Sequence, residues 1–152
     1  MMEQVALTKL ETLFLYSLNI ERIWQNRVAT MSCSIHNLTR LTVCNCRNLG
    51  CLFSSSIVSS FVRLQHLQIW GCPVLEEIIV VDDQEERNKN IVMFPQLQYL
   101  EMSNLEKLTS FCTGDVNIIE FPSLKELRIS RCPKFMVKYK RITNDLMEKV
   151  RI

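Results

Sequence analysis

The chain has 152 residues, 47% of them hydrophobic and 22% charged, which is one ordinary domain of globular rather than disordered composition. Three glycines and four prolines exclude a linker-rich or collagen-like chain, and a net charge of +2 gives no reason for a polyanionic partner. The start, MMEQVALTKL, lacks the basic head and apolar run of a secretion signal. The longest purely aliphatic stretch, Ile78 to Val81, is too short to span a bilayer. Seven cysteines without a secretion route therefore read as reduced thiols in the cytoplasm.

From the N-terminus onward the leucines align into five segments. LTKLETLFLYSLNIERIW begins at Leu7 and IHNLTRLTVCNCRNLGCLF at Ile35. FVRLQHLQIWGCPVLEEII begins at Phe61, FPQLQYLEMSNLEKLTSF at Phe94 and FPSLKELRISRCPKFMVK at Phe121. The starts lie 28, 26, 33 and 27 residues apart, and every segment has apolar residues at offsets 0, 3, 6, 8 and 11. Offset 6 holds Leu13, Leu41, Leu67, Leu100 and Leu127; offset 8 holds Leu15, Val43, Ile69, Met102 and Ile129. A spacing of two is strand alternation, so both side chains point inward. The pattern predicts parallel strands near 12–16, 40–44, 66–70, 99–103 and 126–130. No such unit buries its own apolar face, so neighbours must stack into one core.

These features define a leucine-rich repeat solenoid of α/β class. It is a short horseshoe arc with parallel strands on the concave face and a mostly irregular or short-helical convex side. The predicted repeats are 7–34, 35–60, 61–93, 94–120 and 121–140, in a single domain over 1–152. The long third period contains DDQEERNKN, residues 82–90, a charged insertion expected to loop into solvent. Residues 141–152 are expected to cap the C-terminal end, with a helix showing Ile142, Leu146 and Val150 on one face. Nothing comparable precedes Leu7, so an apolar edge is expected there, and with it self-association.

The chemistry that the residues could carry is modest. CNCRNLGC, residues 44–51, is the densest thiol cluster, yet Cys46 occupies inward offset 11, which two other repeats fill with leucine. It reads as a small hydrophobe, with Cys44 on the outward side of the strand and Cys51 farther along the turn. CxxC spacing is absent, so no metal site is expected. His36 and His66 fall in different repeats and form no HExxH pair, and no GxSxG elbow exists. The acids Glu76, Glu77, Asp82 and Asp83 lack calcium-loop spacing. The basic run with Lys134, Lys138, Lys140 and Arg141 has no interleaved aromatics beyond Phe135 and Tyr139, so it reads as a solvated cap rather than a nucleic-acid site. No enzyme, cofactor, metal, nucleic acid or membrane is expected.

The outward strand positions are different. Offsets 5, 7 and 9 place Arg40, His66, Gln68, Trp70, Tyr99, Glu101 and Arg128 at the centre of one continuous surface, with Phe14 and Tyr16 beside them. Trp, Tyr and Arg at sites the core does not need are the residue types of binding hot spots, so a protein ligand is expected on this face.

The pattern LxxLxLxxC with an apolar residue three positions on stands here as Leu38-Leu41-Val43-Cys46-Leu49 and as Leu64-Leu67-Ile69-Cys72-Leu75. With LQHLQIWGCPVLEEIIV and FPSLKELRISRCPKF, it resembles the cytoplasmic leucine-rich repeats of plant nucleotide-binding disease-resistance receptors of the coiled-coil class. The resemblance runs from about Val5 to Lys140. It departs from the common consensus, in which Asn and then Leu follow, and the first repeat drifts, with Glu21 where an apolar residue is expected. It implies a recognition or regulatory module that acts in defence and binds a pathogen effector, a guarded host protein or the receptor's own nucleotide-binding domain. GxxxxGK[ST] cannot be written with Gly50, Gly71 and Gly114. The nucleotide switch is therefore expected to lie outside this chain, which would be an excised repeat domain or a truncated product. The alternative is the substrate-binding repeat domain of a ubiquitin-ligase adaptor of the F-box type.

Overall fold

The computed structural model describes residues 10–24, 35–80, 91–92, 94–112, 119–138 and 150–151. Five strands fall at the expected positions: β1 (Thr12–Tyr16), β2 (Arg40–Cys44), β4 (His66–Trp70), β7 (Tyr99–Ser103) and β10 (Glu126–Ser130). All pair in parallel, in the order β1-β2-β4-β7-β10, and like offsets stand opposite one another. Leu41 thus lies between Leu13 and Leu67, and Leu67 between Leu41 and Leu100. In the second, third and fourth repeats the residues at offsets 0, 3, 6, 8 and 11 are buried. Leu10, Leu13, Leu15 and Leu18 of the first repeat are only partly buried, because β1 is the edge strand among the described residues and its columns have a neighbour on one side.

Two backbone devices hold the stack. Before each strand, one carbonyl accepts two N–H groups of the next repeat: Glu11 O from Thr39 and Arg40, Thr39 O from Gln65 and His66, Gln65 O from Gln98 and Tyr99, Gln98 O from Lys125 and Glu126. After each strand, offset 10 adopts the left-handed conformation, at Ser17 (φ 53°), Asn45 (53°), Gly71 (69°), Asn104 (55°) and Arg131 (53°). The first four donate their N–H to the last strand residue of the next repeat, at 3.0, 3.0, 3.1 and 2.9 Å. That single residue reverses the direction of the chain, and offset 11 points inward again.

The same turn explains the cysteines. Cys46, Cys72 and Cys132 are buried, and each thiol donates to the carbonyl two residues back, on Cys44 (3.5 Å), Trp70 (3.7 Å) and Ser130 (3.3 Å). A small apolar side chain that can also donate weakly suits a tight turn of this kind.

A further buried column follows at offset 14, with Leu49, Leu75, Leu108 and Phe135. On the side expected to be irregular or short-helical, apolar pairs at offsets 17 and 18 form a second parallel sheet. Its strands are β3 (Cys51–Ser54), β5 (Glu77–Val80) and β8 (Ser110–Cys112), and it buries Leu52-Phe53, Ile78-Ile79 and Phe111-Cys112. β6 (Ile91–Val92) and β9 (Ile119–Glu120) add a two-stranded sheet. The helices whose bounds the structure gives are α1 (Ser55–Val58) and α2 (Pro133–Lys138). Phe53 packs against Phe61 and Phe94 with ring centroids 4.9 and 5.3 Å apart, and Trp24 meets Phe61 edge-on at 5.4 Å.

The drift of the first repeat has a physical form. Gly50 N donates to Glu21 O, whereas Glu76 N donates to Gly50 O and Thr109 N to Glu76 O. Glu21 therefore does the backbone work of offset 15 one residue early, which leaves its side chain exposed and Ile20 half-buried.

One expectation at the C-terminus is corrected. Val150 belongs to β11 (Val150–Arg151), which pairs in parallel with β10, rather than to a helix. The main sheet's exposed hydrogen-bonding edge attracts a strand there. Ile142, Leu146 and the insertion 82–90 lie outside the described residues.

Two stability predictions follow from the stack. Leu67 is fully buried between two leucines, and Leu67→Ala is expected to cost about 2–5 kcal/mol in chemical denaturation. At Gly71, where φ is +69°, an added Cβ would lie 2.3 Å from Asn45 Oδ1. Gly71→Ala is expected to cost about 1–2 kcal/mol. Gly71→Asn is expected to cost less, because asparagine tolerates this conformation, as Asn45 and Asn104 do at the equivalent offset. Thermal unfolding of the two variants gives the order.

Candidate protein-binding face

The outward residues of the five strands form three rows set by the sheet register. Thr12, Arg40, His66, Tyr99 and Glu126 make the first; Phe14, Thr42, Gln68, Glu101 and Arg128 the second; Tyr16, Cys44, Trp70, Ser103 and Ser130 the third. Adjacent members of a row are about 4.8 Å apart along the hydrogen-bonding direction. All seven sequence-predicted site residues stand on this one face: Arg40, Trp70 and Arg128 exposed, and His66, Gln68, Tyr99 and Glu101 half-buried.

A hydrogen-bonded chain runs through the middle. Thr42 Oγ1 donates to Gln68 Oε1 (3.3 Å), Gln68 Nε2 donates to Glu101 Oε2 (3.0 Å), and Tyr99 Oη donates to the same carboxylate oxygen (2.7 Å). Burial, and then the bond to Glu101, push the Tyr99 phenol up to about 12. The Tyr99 bond, opposed by burial and assisted by Gln68 and Arg128, holds the Glu101 carboxyl below its usual range. Arg128 donates through Nε to Glu126 Oε1 (2.7 Å), and its guanidinium lies 5.6 Å from the centre of the Tyr99 ring. The His66 ring sits 6.0 Å from that of Tyr99, and burial together with the charge of Arg40 holds its imidazolium form down. The side chains are already oriented before any ligand arrives.

Beside this polar centre is an aromatic patch. Phe14 and Tyr16 are 60% and 56% exposed and stacked, with rings 6.3 Å apart and 9° from parallel; Trp70 is 37% exposed. Cys44 stands on the outward side of its strand, as expected, but is fully buried, because it is short and lies between Tyr16 and Trp70 on the neighbouring strands. Thr42, between Phe14 and Gln68, is buried for the same reason. Sequence reasoning left Thr42 and Glu126 out of the site, although both stand at outward offsets in the same rows and bond to Gln68 and Arg128.

Burial raises the thiols of Cys44 and Cys132, and pushes those of Cys72 and Cys112 up to about 11. The six described cysteines form no disulfide with one another. Among the described residues, no three His, Cys, Asp or Glu side chains gather where they could hold a metal ion. Again among the described residues, no helix is long and apolar enough to cross a membrane.

Parallel strands stacked one per repeat, with the leucine columns beneath and an open polar and aromatic face above, define a leucine-rich repeat solenoid. Residues 7–147 match the leucine-rich repeats described as plant disease resistance protein RPS2-like, and the chain belongs to that family. Searches of curated proteins and of solved structures returned no match. Leucine-rich repeat domains are, in general, non-catalytic modules that bind other proteins.

The network makes a pH prediction. A carboxyl whose folded value lies below its unfolded value contributes stability that is present above the unfolded value and lost as pH falls through the folded one. Glu101 is such a group. Tyr99 is the converse case: its contribution is complete below the ordinary phenol value near 10 and is lost as pH rises toward about 12. Tyr99→Phe is expected to return the Glu101 carboxyl upward, toward the usual range, in an NMR titration of the glutamate side chains.

Proposed function

We propose that this chain is the protein-recognition module of a plant intracellular immune receptor, acting in the cytoplasm in the defence response. Its concave face binds a pathogen effector, a guarded host protein or the receptor's own nucleotide-binding domain. One observation carries the reading: a hydrogen-bonded Thr42–Gln68–Glu101–Tyr99 chain lies beside the exposed aromatic residues Phe14, Tyr16 and Trp70 on the outward face of the main sheet. Groups that are fixed beforehand lose little freedom on binding, which favours affinity and discrimination. Family membership supports the same reading.

Fusion of the chain to a biotin ligase in leaf cells, followed by titration of the labelled proteins against purified chain, tests this. Trp70→Ala or Tyr99→Ala is expected to weaken the true partner by about 2 kcal/mol, as loss of an aromatic anchor does. Neither variant is expected to destabilise the fold as much as Leu67→Ala does. A Trp70→Ala variant that unfolds while its folded fraction binds normally would place the tryptophan in the core and refute the assignment.

A further inference from the structure

We propose that the cleft at the C-terminal ends of β2, β4 and β7 binds a small zwitterion of the class of free di- and tripeptides, with its carboxylate on Arg47 and its ammonium on Glu106. The site lies past the ends of the strands, and its occupancy does not depend on the protein-recognition reading above.

The turns that follow the strands build the cleft. Offset 10 holds Asn45, Gly71 and Asn104, all in the left-handed conformation, and offset 12 holds Arg47, Pro73 and Glu106. Asn45 N donates to Trp70 O and Gly71 N to Ser103 O, so the three turns stand side by side with that of the third repeat in the middle. These six residues line a cavity of about 350 Å³, which Tyr16 and Ser17 also line from the β1 side. The third repeat gives the floor, and the second and fourth give the walls. Glycine and proline keep the floor low where the neighbouring repeats carry asparagine and a charged side chain. At Gly71 an added Cβ would lie 2.3 Å from Asn45 Oδ1, so the Asn45 amide reaches over bare backbone.

The charges on the walls select the ligand. Arg47 and Glu106 are the charged side chains among the described lining residues; both are exposed, and neither makes a hydrogen bond or ion pair among the described residues. Their backbones stand two repeat spacings apart, roughly 10 Å, on opposite walls. A charged side chain in place of Pro73 would neutralise one of them; proline leaves cation and anion facing each other across the gap. A ligand with a single charge satisfies one wall and strips water from the other without pairing it, which is costly, and a neutral ligand does so to both. A zwitterion satisfies both, its carboxylate taking paired, charge-assisted hydrogen bonds from the guanidinium. A single α-amino acid holds its two charges too close together to reach both walls. An extended chain gains about 3.4 Å per residue, so two or three residues span the gap. The side-chain amides of Asn45 and Asn104 make no hydrogen bond among the described residues and offer a donor and an acceptor each to the peptide groups between. The volume lies at the small end of ligand pockets, as a ligand of this size requires.

The test is an NMR titration of the whole chain, labelled with nitrogen-15, against dialanine, trialanine, N-acetyl-trialanine, trialanine amide and free alanine. Dialanine or trialanine is expected to shift the backbone amide signals of Asn45, Gly71 and Asn104. Removing either peptide charge, by acetylation or amidation, is expected to weaken binding about tenfold or more, and free alanine is expected to bind as weakly. Arg47→Glu and Glu106→Arg are each expected to weaken the free peptides by a similar factor. The double variant Arg47→Glu/Glu106→Arg exchanges the walls and is expected to restore most of the affinity, with the peptide reversed. Lys125→Glu, an equal change of charge at the opposite ends of the strands, is expected to leave binding as it is. Thermal unfolding of each variant shows that it is folded. Capped peptides that bind as well as free ones would overturn the zwitterion assignment, as would a double variant no better than the single ones. No shift at these three amides with peptide up to about 10 mM would overturn the site itself. Any of these failures leaves the partner-labelling experiment to decide the protein-recognition reading separately.

Discussion

Each repeat of this protein is too small to bury its own apolar face, and everything else in the fold follows from that deficit. A strand with two inward side chains and a turn with a third has no interior; it acquires one only when a second copy stacks on it in register. The gradient along the sheet makes the dependence visible. Leu41, Leu67 and Leu100, with a neighbour on each side, are sealed, whereas Leu13, with a neighbour on one side, is half-exposed. Core and stacking interface are the same surface, so adding or losing a repeat changes how well its neighbour is buried.

Exact stacking requires that the backbone repeat as faithfully as the side chains. The paired N–H groups before each strand and the left-handed residue after it do this work, and they tolerate different side chains because they are made by the main chain. Serine, asparagine, glycine and arginine all occupy the left-handed position. Only asparagine and glycine adopt it readily, so at Ser17 the cost of a disfavoured conformation is offset by the ladder bond and the inward side chain it delivers, and at Arg131 by the inward side chain of Cys132.

Strand positions and concave rows were legible from leucine spacing alone, because a period-two alternation inside a longer period leaves no other assignment for Leu13 and Leu15 or their equivalents. The second sheet was harder to see. Leu52-Phe53 and Ile78-Ile79 are adjacent apolar pairs, buried together, and such pairs carry no alternation to identify a strand. The outward position of Cys44 was legible, but its burial was not, for a related reason. Alternation assigns a direction to a side chain, while burial also depends on how large the neighbours across the sheet are, and here they are Tyr16 and Trp70. The hydrogen bonds joining Thr42, Gln68, Glu101 and Tyr99 depend on side-chain rotamers that no spacing encodes. The aromatic and charged residues that frame them were nonetheless identifiable by type and row.

The matched register of the main sheet turns its open face into a rectangular lattice of side-chain addresses, spaced by one interval across the strands and another along them. Most addresses on that lattice are insulated from the columns beneath, since inward and outward side chains alternate and never share a cavity. A lineage carrying such a sheet can therefore rewrite what it recognises one square at a time, at nearly constant stability. The squares over β2 are the exception: there a larger residue would have to push apart the rings that roof Thr42 and Cys44, and variation is physically coupled to its neighbours.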